Sequence, residues 1–343
     1  MRTRRPKIAI NGFGRIGRCF ARLAARDPQC PFDLVAANDL APAESLAYLL
    51  RYDSTHGRLG LPVSLDQGAI VVGNHRILLT AQTDPAQLPW KDLGVDLVIE
   101  STGKFTKRSA AAGHLTAGAK RVLISAPGDA KEAPDATVVR GINDETLKPE
   151  HTVISAASCT TTCLAPVAKA LDDAFGIVTG MMTTVHAFTG DQVVLDLPHK
   201  KDFRRGRTSS QNIVPSSTGA AKAIGLVVPK LAGKLNGSAL RVPVPDVSLV
   251  DLTVQAGRNT TIEEVNAALR KAASDFSPGV MRIEDDPIVS SDLLGDGTGA
   301  IVDSQLTHVQ GGNLVKVVAW YDNEWGYATR LYALASHIVT TLG

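Results

Sequence analysis

Of the four cysteines in the chain, Cys159 stands where a thiol could react. It lies within Ser158-Cys-Thr-Thr161, and Leu164, Val167, Ala168 and Leu171, running on to Gly176, predict a helix that starts at or just after it. Free N–H groups and the positive end of the dipole at such a start favour thiolate over thiol. The hydroxyls around it speak against an apolar core position, whereas Cys163, one turn on, is expected to be buried packing. The run Met181-Met-Thr-Thr-Val-His-Ala-Phe-Thr189 predicts a strand that delivers His186 to a loop. An imidazole within reach of the sulfur would hold a thiolate as an ion pair and then serve as general base and acid.

A second group of residues is suited to nucleotide binding. The β-rich run 7–10 leads into Asn11-Gly-Phe-Gly-Arg-Ile-Gly17, and Ile16, Cys19, Phe20 and Leu23 follow at helical spacing. In a strand, glycine turn and helix, Gly12 permits the tight turn, Gly14 lets backbone approach a pyrophosphate, and Gly17 allows close helix packing. A strand over 32–37 ends at Asn38-Asp39, where a carboxylate would meet ribose hydroxyls and repel a 2′-phosphate, so NAD is expected rather than NADP. Asp39 would also suit an N-cap of the next helix, a role compatible with the first.

These residues need elements to position them. Strand-like runs at 96–100, 121–125 and 152–155 alternate with helical or loop segments such as 107–117, which predicts a Rossmann-type, doubly wound parallel sheet in an α/β domain. Ser101-Thr-Gly103 and Ser125-Ala-Pro127 fall just past strand ends, the edge at which open α/β sheets bind ligands. Beyond residue 179, strands are expected at 183–188, 238–244, 248–256 and 314–320. Helices are expected at 219–228 and 262–273, the latter opened by a capping box of Thr260 or Thr261 with Glu263 or Glu264. Few helices between strands suggest an α+β domain whose sheet is mostly antiparallel, with helices on one face, and 327–340 reads as a final helix.

A length of 343 residues suits two domains, and a formal charge of +2 makes no demand for a nucleic-acid or membrane partner. No apolar run approaches the roughly 18 residues of a spanning helix, and no secretory segment opens the chain, so a cytoplasmic location is expected. The cysteines have no metal-ligand spacing and are too few for a disulfide framework, so no metal is expected.

Through Ala157-Ser-Cys-Thr-Thr161 and Val185-His-Ala-Phe-Thr189 the chain resembles the phosphorylating glyceraldehyde-3-phosphate dehydrogenase family. Further matches are Asn11-Gly-Phe-Gly-Arg-Ile-Gly-Arg18, Arg51-Tyr-Asp-Ser-Thr-His-Gly57, Asn212-Ile-Val-Pro-Ser-Ser-Thr-Gly-Ala-Ala-Lys222, Arg241-Val-Pro243 and Trp320-Tyr-Asp-Asn-Glu-Trp-Gly326. The resemblance implies that Cys159 attacks an aldehyde and His186 removes the resulting hydroxyl proton as hydride passes to NAD. Inorganic phosphate then cleaves the thioester to an acyl phosphate. It places the substrate phosphate at Thr189 and Arg241, and the attacking phosphate at Ser158, Thr160, Thr218, Gly219 and one of Arg204, Arg205 and Arg207, taken as Arg205. Arginine forks and hydroxyl donors suit both tasks. It also implies cofactor contacts from Arg15 and Ile16 at the pyrophosphate, Asp39 at the ribose, Ser125 near the nicotinamide half and Asn323 at the carboxamide. Leu197-Pro198 matches the NAD-using version of the family's S-shaped loop.

By the same analogy the nucleotide domain comprises 1–158 and 323–343, and the catalytic domain comprises 159–322 with the S-shaped loop at about 193–212. The assembly implied is a homotetramer with that loop at subunit contacts. Three positions depart from the family's commonest pattern: Thr162 and Gly190 replace Asn, and Thr83 stands where Arg or Lys is frequent. The first two lie near the nucleophile and raise the expectation of altered sensitivity to thiol-directed inhibitors, with neutral drift as the alternative. Two other readings stand beside the main one. Erythrose-4-phosphate dehydrogenases share scaffold and mechanism, but Thr189 and Ser217-Thr-Gly-Ala-Ala-Lys222 favour a triose phosphate. A non-catalytic RNA-binding or adhesion module would use the basic start, Arg2 to Lys7, which is more simply a solvated tail.

Overall fold

The computed structural model describes residues 4–199 and 202–342. The chain forms two compact units: residues up to Ala157 with those from Ala328 onward, and Ser158–Tyr327.

In the first unit, strand Lys7–Asn11 lies between Asp33–Asn38 and Leu97–Glu100, parallel to both, within a nine-stranded sheet. Ile8, Ile10, Leu97 and Ile99 are wholly buried, as the continuous apolar runs of central parallel strands require. The chain leaves Lys7–Asn11 through helix Arg15–Arg26 toward one side and returns on the other at Leu97–Glu100, so strand order reverses beside Asn11. A reversal of this kind opens a ligand crevice at the C-terminal strand ends. Three strands not anticipated extend the sheet beyond Asp33–Asn38: His75–Thr80 runs parallel to it, and Ala69–Val72 and Val63–Asp66 follow antiparallel.

The segment 107–117, read as helical or loop, forms two short helices, Arg108–Ala111 and Gly113–Thr116. Gly113 packs so close to Pro85 that a Cβ would lie 3.3 Å from the proline's, and the glycine that permits this contact also weakens helix continuity. Helix Trp325–Thr341 buries Leu331, Leu334, Ala335, Ile338 and Val339, at helical spacing, in the same core as Ile8 and Phe20. In the described part of the basic start, Arg4 and Arg5 are exposed but anchored: Arg4 makes two 2.8 Å bonds to Asp96, and Arg5 donates to the carbonyl of Phe32. Residues 1–3 lie outside the described residues.

In the second unit, strand Ile177–Ala187 runs parallel to Leu235–Val242 and antiparallel to Ser248–Ala256, inside a seven-stranded sheet. Met281–Glu284 and Ala300–Gln310 form its other parallel pair, and the remaining pairings are antiparallel. The eleven-residue strand Ala300–Gln310 was not anticipated, because Asp303, Ser304, Gln305, Thr307 and His308 break its apolar pattern. Helix Cys159–Phe175 packs on this sheet and against helices Ala220–Val227 and Ile262–Asp275. Thr261 caps the last of these by accepting from Glu264 N, but Glu264 takes the hydroxyl of Thr260 in place of the cap backbone, so the reciprocal box does not form. Among the described residues no helix is long and apolar enough to cross a membrane.

Candidate active site

Cys159 is the first residue of its helix, and the local chain explains its placement. Ala157 adopts φ 56°, an unusual conformation for a residue with a side chain. The turn leaves Ser158 as N-cap, its Oγ accepting from Thr161 N at 3.1 Å. His186 is the penultimate residue of Ile177–Ala187, and its Nε2 lies 3.6 Å from the Sγ of Cys159. Its Nδ1 is 2.7 Å from the carbonyl of Ala187, which can only accept, so Nδ1 carries the proton and Nε2 presents a lone pair to the sulfur.

A third side chain fixes this pair. The Tyr321 hydroxyl bridges Thr160 Oγ1 at 2.8 Å and Thr184 Oγ1 at 2.9 Å, with the ring edge-on to His186. Thr184 and His186 share one face of their strand. Tyr321 thus ties the nucleophile's helix to the base's strand from a third strand, Leu314–Tyr321.

Burial shifts both reacting groups toward their neutral forms. It pushes the Cys159 thiol up, although Thr160 and the charge of Arg241 work the other way. It takes His186 down to about 4, and Arg241 adds to that fall. Burial thus opposes the preference for thiolate expected at a helix start, and Nε2 stands where it can take the thiol's proton. Asp246, buried near Asp322 and Glu324, is pushed up to about 9 by burial and then by their charges, so it stays protonated.

Of the phosphate donors inferred from the sequence, bonds join Arg241, Thr189 and, through Asp191, Arg205. Arg241 Nη1 donates to Thr189 Oγ1 at 2.7 Å and lies 3.5 Å from His186 Nδ1; Thr189 donates to Asp191, which pairs with Arg205 at 2.8 Å. Ser158 and Thr160 flank the sulfur, though their hydroxyls serve the helix cap and Tyr321. Thr218 Oγ1 accepts from Ala220 N, and Gly219 precedes helix Ala220–Val227 as its N-cap. The Thr162 hydroxyl donates to the Ser158 carbonyl within the helix, whereas Sγ has its contacts with Thr160 and His186, so altered thiol reactivity gains no direct contact to act through. The sequence reading missed Tyr321, Thr184, Asp191 and Asp246. Only Tyr321 carried a signal, within the run Trp320 to Gly326.

The first unit holds a cleft of about 300 Å³ lined by Gly12, Gly14, Asp39, Thr83, Ser101 and Thr102, among others. Gly12 has φ 92°, and a Cβ there would lie 2.7 Å from Thr102 N; at Gly17 it would lie 2.2 Å from the Gly12 carbonyl. A Cβ on Gly14 would meet nothing within 4 Å, so at this position the backbone is open to a ligand. Asp39 is not a helix N-cap, since Pro42 precedes helix Ala43–Arg51. It accepts instead from Phe13 N and Ala41 N, which braces the glycine turn. The Arg15 side chain pairs with Asp53, leaving its backbone N–H, with that of Ile16, at the helix start. Gly103 has φ 69°, and Ser125 N bonds the Glu100 carbonyl at the sheet's ligand edge. In the second unit, Ser248 donates to Asn323 Oδ1 at 2.6 Å.

A nucleotide cleft at a strand-order reversal and a thiol with its own base define a class, the dehydrogenases that pair a dinucleotide with a reactive cysteine. Residues 6–108 match the family described as "Glyceraldehyde 3-phosphate dehydrogenase, NAD binding domain", and residues 158–323 match its "C-terminal domain". The chain is 52% identical to "Glyceraldehyde-3-phosphate dehydrogenase" of Geobacillus stearothermophilus over 97% of this chain and 98% of that protein. It is 53% identical to "Glyceraldehyde-3-phosphate dehydrogenase 2" of Streptomyces arenae over 98% and 99%. The chain belongs to the glyceraldehyde 3-phosphate dehydrogenase family, and its cofactor is NAD.

Proposed function

We propose that the protein oxidises D-glyceraldehyde 3-phosphate to 1,3-bisphosphoglycerate, using inorganic phosphate, through a thioester on Cys159. The observation that carries this reading is the 3.6 Å approach of Sγ to an Nε2 whose partner nitrogen is committed to the Ala187 carbonyl. As sulfur attacks the aldehyde carbon, its proton moves to Nε2, which returns it to the new oxyanion and leaves a neutral thiohemiacetal. Nε2 then takes that hydroxyl proton while the C–H bond breaks and the carbonyl re-forms as a thioester. When bound, NAD supplies the acceptor for the hydride. A phosphate oxygen attacks the thioester carbon, the C–S bond breaks, and the sulfur is reprotonated from His186.

Thr189 and Arg241 are the donors for the substrate phosphate, and Ser158, Thr160, Arg205, Thr218 and Gly219 for the attacking one. Gly12, Gly14, Gly17, Asp39, Gly103, Ser125, the helix-start N–H groups of Arg15 and Ile16, and Asn323 would hold the cofactor; the open Gly14 backbone supports this fit. Val194, Leu195, Leu197 and Phe203 are exposed on the S-shaped loop and support self-association, read here as a homotetramer working in the cytoplasm. Lys200 and Lys201 of that loop lie outside the described residues.

The test follows NADH with glyceraldehyde 3-phosphate in parallel reactions with and without inorganic phosphate. Turnover that depends on phosphate is expected, and phosphate-independent turnover would exclude the mechanism. Erythrose 4-phosphate in the same assay is expected to be the poorer substrate.

A further inference from the structure

The carboxylate of Asp191 bonds one residue assigned to each phosphate pocket. One oxygen accepts the hydroxyl of Thr189, and the other pairs with Arg205 Nη1 at 2.8 Å. Thr189 in turn accepts from Arg241 Nη1 at 2.7 Å, so a single chain of bonds runs from Arg241 through Thr189 and Asp191 to Arg205. Resting on the assignment of Thr189 and Arg241 to the substrate phosphate and Arg205 to inorganic phosphate, we propose that Asp191 couples the two pockets. It acts as an internal anion that yields Arg205 only after the first pocket has filled.

A hydroxyl carries one proton and donates to one acceptor at a time. A phosphate bound at Arg241 and Thr189 claims that proton, so Asp191 loses its bond and faces a new negative charge. Asp191 is well placed to move away. Its side chain is 43% exposed, and it follows Gly190, around which a Cβ would find open space. Once it leaves, Arg205 retains Asp202 at 3.7 Å from Nε, and Nη1 becomes available to a second anion. The two phosphates repel each other directly, but removal of a carboxylate from Arg205 works in the opposite sense. By linkage, inorganic phosphate strengthens substrate-phosphate binding by the same factor. The arrangement would keep the attacking anion's site closed until an aldehyde carrying its own phosphate is in place.

The test compares the KM for inorganic phosphate with glyceraldehyde 3-phosphate and with unphosphorylated glyceraldehyde, in the wild-type holoenzyme and in Asp191→Asn. In the wild type the KM should be lower with the phosphorylated aldehyde by about fivefold or more, the lower end of couplings between linked sites. In Asp191→Asn it should be low with both aldehydes, the ratio falling toward one. A wild-type ratio of one overturns the proposal without any variant. So does a raised phosphate KM in Asp191→Asn, which would make Asp191 a simple prop for Arg205. Arg205→Gln separates the underlying assignment, since an unchanged phosphate KM there would remove Arg205 from the pocket whatever Asp191 does.

Discussion

Nε2 of His186 faces the Cys159 sulfur at 3.6 Å while Nδ1 of the same ring donates to the Ala187 carbonyl. The imidazole therefore enters the reaction as a neutral base with its tautomer already chosen. Burial, and then Arg241, hold it down to about 4, so it stays unprotonated across the neutral range. His186→Asn should slow NADH formation in the first turnover by about 10²- to 10⁴-fold, the usual contribution of a positioned base. An undiminished pre-steady-state burst would remove His186 from that role.

The same shift has a stability consequence. In the unfolded chain the ring takes up a proton near pH 6.5, whereas in the folded one it does so only near 4. Between those values the unfolded state binds more protons, so stability falls as pH drops through the window. His186→Asn should flatten that decline. Denaturation midpoints at pH 4.5, 5.5 and 6.5 measure it, and parallel curves for variant and wild type would show that the ring protonates normally.

Tyr321→Phe strands two buried hydroxyls at once, those of Thr160 and Thr184. An unsatisfied buried polar group costs about 1 to 3 kcal/mol, so a loss within or somewhat above that range is expected in urea unfolding. Acylation should slow as well, because the bridge sets the spacing of the nucleophile's helix and the base's strand. A variant with normal stability and rate would make the bridge incidental.

What could be read in the sequence was the chemistry that depends on local spacing. The glycine turn at Gly12 and Gly17, the helix start at Cys159 and the strand carrying His186 each need neighbours only a few residues away, and the structure places them as expected. The bridging role of Tyr321 was not legible, because its partners lie 161 and 137 residues off. Asp191 carries no signal among its chain neighbours, because its place depends on Thr189 and Arg205 meeting its two oxygens. The balance at the thiol lies beyond the sequence for a related reason: a helix start is visible there, but the desolvation that opposes its field belongs to the packed unit.

Asp246 gives the opposite pH signature to His186. Burial and the neighbouring charges of Asp322 and Glu324 push it up to about 9 from 3.8, so the folded protein keeps a proton that the unfolded chain releases. Above the unfolded carboxyl's value this favours the unfolded state increasingly as pH rises toward the folded one. Asp246→Asn, which has no proton to lose, should be more stable than wild type at pH 8 and should lose that advantage toward pH 5. Thermal midpoints across the range check this, and a constant difference would show that Asp246 titrates alike in both states.

Gly12 and Gly14 belong to one motif but are glycine for different reasons, and alanine at each should fail differently. At Gly12 the backbone has φ 92° and a Cβ would press on Thr102 N at 2.7 Å and Ser101 C at 2.8 Å, all of it backbone that must itself shift. Strain of this kind costs on the order of 1 to 3 kcal/mol before any clash is counted, so Gly12→Ala should lower stability and NAD affinity together. At Gly14 φ is −73° and the space is open, so folding should change by less than about 1 kcal/mol, the scale of a weakened N-cap. A methyl group there still stands where the pyrophosphate must approach the helix start, and the KM for NAD should rise about tenfold or more with the melting temperature nearly unchanged. If Gly14→Ala bound NAD as the wild type does, the open space over Gly14 would not be the phosphate's path.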